Sequence, residues 1–203
     1  MTSVVCIKVG DKYGPEYVNK LERMVKKHTW ADYEFVCLTD NYKGLECQHA
    51  FPTGTHLEGW WSKLVLFKPH PVLKDKRIVY IDLDTVIVNN IDFLFEYKKA
   101  FCILKDFWAP SHNSSVMAIR QGFGEDIYGV FDKDMMNLYS GDQDWIFNRY
   151  PGADIWQGVA PGKIGSYKAD NLQNGPKDFS LICFHGDPKP HTFTEGWVKD
   201  AWV

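Results

Sequence analysis

Three short strand-like runs, Val4 to Val9, Glu34 to Leu38 and Arg77 to Ile81, are separated by two segments of helical periodicity. This alternation constrains the fold more than any other feature of the chain. The first helix opens at Gly14-Pro15, where proline's fixed φ suits a first turn, and it puts Tyr17, Val18, Leu21, Met24 and Val25 on one face. A second amphipathic helix is expected over Leu57 to Phe67, with Leu57, Trp60, Trp61, Leu64 and Phe67 at helical spacing and Pro69 and Pro71 stopping it. A β-α-β-α-β series is the pattern of an α/β protein with an open, mostly parallel sheet. After Ile81 come the apolar stretch Thr85 to Val88 and a turn of helix over Ile91 to Phe95.

Beyond residue 100 the periodicity is mixed. Strands are expected at Phe101 to Leu104, Ser115 to Ile119 and Leu181 to Phe184, and helices at Glu125 to Phe131 and Asp142 to Tyr150. Residues 151 to 178 carry Gly and Pro without clear period and read as loop-rich surface, a lid or an acceptor-side wall. No internal repeat, charge block or linker divides the 203 residues.

Lys plus Arg number 23 against 26 Asp plus Glu, so the net charge of −3 offers no chain-wide grip on a phosphate backbone and argues against unspecific nucleic-acid binding. Eight tryptophans exceed what core packing usually needs, and Trp faces suit sugars or bases. Five cysteines, an odd number without C-x-x-C spacing, read as buried reduced thiols. No apolar run approaches the roughly 18 residues of a membrane span, and Met1 to Gly10 lacks the features of a signal peptide, so no transmembrane segment and a cytoplasmic location are expected.

Asp82 and Asp84 follow a wholly apolar strand, at the edge of an open α/β sheet where ligands bind. Two carboxylates placed there usually hold a cation. His185 also follows an apolar strand and can bring an imidazole nitrogen to the same ion; two carboxylates and one imidazole suit Mn²⁺ better than Mg²⁺. Lys189, fixed between Pro188 and Pro190, can present its ammonium to a phosphate oxygen. Asp142 immediately precedes an apolar-periodic stretch and also reads as a helix N-cap.

Five segments in order resemble the retaining glycosyltransferases of family 8, the glycogenin and bacterial galactosyltransferase group. They are Trp61-Ser62-Lys63-Leu64, Ile78 to Thr85 with Asn90-Ile91-Asp92 and Leu94-Phe95 behind it, Asn113-Ser114-Ser115-Val116-Met117, Gly141-Asp142-Gln143, and His185-Gly186 with Lys189-Pro190. The resemblance implies a GT-A fold, a Rossmann-like mixed sheet flanked by helices. It implies one such domain over residues 1–203, with a nucleotide-sugar half at 1–100 and an acceptor and metal-completing half at 101–203. It further implies a UDP-sugar donor and transfer with retention of anomeric configuration. Asp82, Asp84 and His185 would bind Mn²⁺ (or Mg²⁺), with Asp82 also facing the ribose. Lys189 would neutralise the diphosphate, with Gly186 beside it in the donor loop, and Lys63 would lie near the diphosphate or sugar. Asn113 would contact the donor sugar, Asp142 and Gln143 would flank the reacting carbon, and Asp11 would meet the nucleoside. The chain departs from the family at Ser115, where a glycine is usual, and at His191, where an aromatic is usual. The resemblance leaves open whether the acceptor is a glycan, a protein side chain or a hydroxylated nucleic-acid base.

Two other readings fit parts of the pattern. Asp82-Leu83-Asp84-Thr85-Val86 satisfies the signature of haloacid dehalogenase-type phosphatases, with Asp82 as nucleophile, although that class puts the motif on its first strand. A non-catalytic nucleotide-sugar-binding module would be expected to have lost the charged residues that this chain keeps.

Overall fold

The computed structural model describes residues 1–203. In chain order the elements are β1 (Thr2–Lys8), α1 (Pro15–His28), β2 (Tyr33–Thr39), β3 (His49–Pro52), a 3-10 helix (Gly59–Phe67), β4 (Arg77–Ile81), β5 (Thr85–Ile87), α2 (Phe93–Glu96), β6 (Phe101–Lys105) and β7 (His112–Arg120). There follow α3 (Glu125–Gly129), α4 (Met135–Leu138), α5 (Asp142–Arg149), β8 (Asp154–Ile155), α6 (Trp156–Val159), β9 (Ile164–Ser166), β10 (Leu181–Cys183) and α7 (Gly196–Ala201).

Seven strands form a mixed sheet in the order β3-β2-β1-β4-β7-β6-β8. β1, β2, β3 and β4 run parallel, whereas β7 is antiparallel to both β4 and β6. A smaller sheet has the order β5-β10-β9.

Strand alternation divides the core in two, as it must when a sheet is buried on both faces. Val4, Cys6, Phe35, Cys37, Val79 and Ile81 face the core that contains α1 and the small sheet. Their neighbours Val5, Ile7, Val36, Leu38, Ile78 and Tyr80 face the core built by the 3-10 helix, α3 and α5. Helix α1 buries the expected face, Tyr17, Val18, Leu21, Met24 and Val25. Four cysteines are buried, Cys47 is half-buried and all five are free thiols.

The segment expected as an amphipathic α-helix from Leu57 is instead a 3-10 helix beginning at Gly59, and Trp60 is 52% exposed rather than on its buried face. Trp61, Ser62 and Leu64 to Phe67 are all buried, so the segment carries an apolar run in contact on several sides and not one stripe. Three strands went unread in the sequence. β3 (His-Ala-Phe-Pro) is a short edge strand without an apolar run, while β8 and β9 are only two and three residues long within the region read as loop. No helix is long and apolar enough to cross a membrane.

Because β7 runs antiparallel to β4, its first residues lie beside the C-terminal end of β4. One edge of the sheet therefore gathers the loop after β1, the Asp82–Asp84 turn and Asn113 to Ser115. β9 and β10 pair in parallel and both end near this edge, delivering Tyr167-Lys168 and Phe184-His185-Gly186.

A carboxylate-rich cleft as candidate active site

The edge opens as a cleft of about 530 Å³ lined by Lys63, Asp82, Asp84, Asn113, Asp142, Gln143, His185 and Gly186, which are eight of the ten residues expected from the sequence. Lys189 does not line the cleft but pairs with Asp84, which does. Asp11 is exposed and does not line the cleft; its neighbours Lys12 and Tyr13 do.

Asp82 is fixed by its backbone and side chain together. Its N–H donates to the Ser115 carbonyl at 2.8 Å and its carbonyl accepts from Thr85 N at 3.2 Å, closing the turn that follows β4. Lys63 Nζ lies 2.8 Å from Oδ1, and Tyr80 Oη donates to the same oxygen at 2.6 Å. Lys63 also donates to Ser114 Oγ at 3.1 Å. Burial works to raise the Asp82 carboxyl, but the Lys63 charge and the hydrogen bonds from Lys63 and Tyr80 hold it below the ordinary carboxylate range.

Asp84 has its own cation and hydroxyl. Tyr13 Oη donates to Oδ2 at 2.7 Å, and Lys189 Nζ forms an ion pair with the same oxygen while donating to the Phe184 carbonyl at 2.9 Å. Both side chains of the Lys189–Asp84 pair are 12% exposed. Burial and the Asp84 charge push the Tyr13 hydroxyl well above its ordinary range, so it acts as a donor and not as a base.

Asp142 is the first residue of α5 and is buried, and the N-cap is Gly141, so the capping alternative for Asp142 is corrected. Its Oδ2 is buried without a hydrogen-bond partner. Burial pushes this carboxyl above its usual range, against the Lys63 charge and the Ser114 hydrogen bond. A buried carboxyl oxygen without a partner, on a residue that lines a cleft, is free to accept a hydrogen bond from a ligand. Asn113 Oδ1 is held by the Ser115 N–H at 3.0 Å, which leaves its amide nitrogen for a ligand.

The imidazole of His185 stacks on Phe107 with centroids 5.4 Å apart, and its Nε2 is 2.6 Å from Ser166 Oγ. Burial first, then the nearby Lys168 charge, lowers its pKa, which favours the neutral, metal-binding form. No three His, Cys, Asp or Glu side chains are gathered at ligand spacing, so the expected triad is not preassembled. The donor set nonetheless suits a divalent cation. Asp82 and Asp84 open on one cleft, and each is compensated by a single ammonium, which a stronger cation can replace.

Sequence reasoning missed Tyr13, Tyr80, Ser114 and Ser166, which hold the charged groups in place. Tyr80 was legible as the residue two before Asp82 and Ser114 as the residue after Asn113; Tyr13, in the loop after β1, and Ser166, the last residue of β9, depend on a register that the sequence does not state. The departure at His191 also acquires a role, since its Nδ1 bonds the Tyr17 hydroxyl and so ties α1 to the segment after Lys189.

No family model matches the chain. Over 105 residues it is 30% identical to inositol phosphorylceramide glucuronosyltransferase 1 of Arabidopsis thaliana, a match covering 50% of this chain and 19% of that protein. Among solved structures it is similar to the glycosyltransferase GlyE of Streptococcus pneumoniae TIGR4, with a TM-score of 0.71 at 11% identity, over 100% of this chain and 60% of that one. It is also similar to the galactosyltransferase LgtC, solved with donor and acceptor sugar analogues, with a TM-score of 0.66 at 12% identity over 93% of this chain and 89% of that one. The fold is that of GT-A glycosyltransferases.

Proposed function

We propose that the cleft is the active site of a divalent-metal-dependent glycosyltransferase, moving a sugar from a nucleotide diphosphate sugar, a UDP-sugar, to an acceptor hydroxyl with retention of anomeric configuration. The observation that carries this reading is the convergence of Asp82, Asp84 and Asp142 with Lys63 in one cleft at the C-terminal end of β4. The choice of uridine and of retention rests on the resemblance in sequence.

Asp82, Asp84 and His185 would hold Mn²⁺ or Mg²⁺, which when bound supplies Lewis-acid neutralisation of the leaving diphosphate. The protein's own groups provide the rest. Lys189, paired with Asp84, would turn its ammonium toward a phosphate oxygen of the donor. Lys63, between Asp82 and Asp142, keeps Asp82 ionised. Glycosyl transfer breaks the bond from the anomeric carbon to the diphosphate oxygen through an oxocarbenium-like state. Asp142 is suited to stabilise that positive charge, and Asn113 and Gln143 to orient sugar hydroxyls. Trp60, half-exposed on the cleft wall beside Gly141, offers an aromatic face to a sugar.

The phosphatase alternative puts its motif on the first strand, whereas Asp82 follows β4, with three strands before it in the chain. The binding-module alternative is disfavoured by the retention of every charged group. The test is a screen of nucleotide sugars for release of nucleoside diphosphate with and without Mn²⁺. Metal-dependent release from a UDP-sugar supports the reading, and hydrolysis of a generic aryl phosphate without transfer contradicts it.

A further inference from the structure

The paired ends of β9 and β10 bring Ser166 beside Cys183, so the residues that follow each strand meet at the cleft. Gly186 follows β10, lines the cleft and has φ of 65°. A Cβ built on it would stand 2.8 Å from Lys168 Nζ, so the glycine both permits the left-handed turn and leaves the room that the ammonium needs. The neighbouring Lys189 is engaged by Asp84 and the Phe184 carbonyl, and Lys63 by Asp82 and Ser114. Lys12, also on the cleft wall, is exposed and rests 5.2 Å from the Tyr13 ring centroid. Lys168 is half-buried, and its ammonium forms no hydrogen bond or ion pair. Lys168 does not itself line the cleft, but an ammonium without a counter-charge, held against a glycine that does, suits an anion.

We propose that Lys168 is a phosphate-binding residue of this cleft, its ammonium donating to an oxygen of the donor's diphosphate across Gly186. The proposal rests on the nucleotide-sugar reading. It gives the diphosphate a cation that need not first be released from a carboxylate, as Lys189 must be. Lys189, once free of Asp84, would add a second contact.

The experiment is calorimetric titration of uridine, UMP, UDP and inorganic pyrophosphate, with Mn²⁺ present, into the wild-type protein, Lys168→Met and Lys168→Arg, after circular dichroism has established equal folding. In Lys168→Met, UDP and pyrophosphate should bind about tenfold or more weakly while uridine is unchanged, and Lys168→Arg should recover most of the loss. If Lys168→Met binds UDP and pyrophosphate within twofold of the wild type, the Lys168 assignment is wrong and the donor reading stands. If the wild-type protein binds none of the four ligands, the donor reading and the Lys168 assignment fall together.

Discussion

Replacing Lys63 by Met keeps the length and the apolar stem of the side chain and removes only its charge. In the native structure that charge sits 2.8 Å from Asp82 Oδ1, with the two side chains 12% and 19% exposed. It is also the main favourable charge for Asp142. Without it the half-buried Asp82 carboxylate and the buried Asp142 carboxyl share the cleft with no cation between them. Removing one partner of a buried ion pair costs about 3–5 kcal/mol, against a total stability of about 5–15 kcal/mol for an ordinary domain. A loss near 3 kcal/mol is expected here because Asp82 is only part-buried. The pH dependence follows from the direction of each shift. In the wild type Asp82 titrates below its unfolded value of about 3.9, so its stabilisation is complete above that pH and is lost as pH falls through the folded value. In Lys63→Met the Asp82 and Asp142 pKa values both move up, each ionised carboxylate destabilises the fold above its raised value, and the cost disappears on protonation. The gap between variant and wild type is therefore widest near neutral pH and narrows in acid. Urea denaturation followed by circular dichroism across a pH series measures it, and Asp82→Asn added to Lys63→Met should recover part of the loss. A neutral-pH loss below about 1 kcal/mol, or a gap that widens in acid, would mean that Lys63 does not balance the Asp82 and Asp142 charges.

Lys189→Met should free Asp84, so that calorimetry finds Mn²⁺ alone binding about tenfold more tightly while UDP binds more weakly; unchanged affinities for both would remove the exchange of Lys189 between carboxylate and phosphate. Asp142→Asn should lower kcat by about 10²-fold or more with nucleotide affinity near wild type, since the carboxylate charge acts in the transition state. Nearly full activity in that variant would leave Asp142 a structural residue only. Trp156→Ala should cost about 3–5 kcal/mol in denaturant unfolding, because the indole is fully buried and its Nε1 donates to the Val116 carbonyl at 3.2 Å.

Much of this architecture was legible where one signal dominated. The Arg77–Ile81 run fixed β4 to the residue, and the 3.6-residue period of Tyr17, Val18, Leu21, Met24 and Val25 located the buried face of α1. The 3-10 helix was misread because apolar residues on several sides imitate a broad α-helical stripe, and β3 and β9 were missed because their pairing is set by neighbours distant in sequence. The same limit applied within the cleft. Charged residues at strand ends announced themselves, whereas Tyr13, in the loop after β1, and Ser166, at the end of β9, reach their partners only because separate strands end at a single edge. Lys189 was expected against phosphate, and its pairing with Asp84 became visible only when the two loops were brought together.

On the proposed function, Asp82 and Asp84 hold a divalent cation which in turn holds a nucleoside diphosphate. Calorimetric titration of UDP into the wild-type protein and into Asp84→Ala, each with Mn²⁺ and with a chelator, tests this arrangement. Binding should occur in the wild type with Mn²⁺, fall sharply with the chelator, and be lost in a folded Asp84→Ala variant. Equal UDP affinity with and without metal, or an Asp84→Ala variant that binds Mn²⁺ and UDP like the wild type, would contradict the assignment.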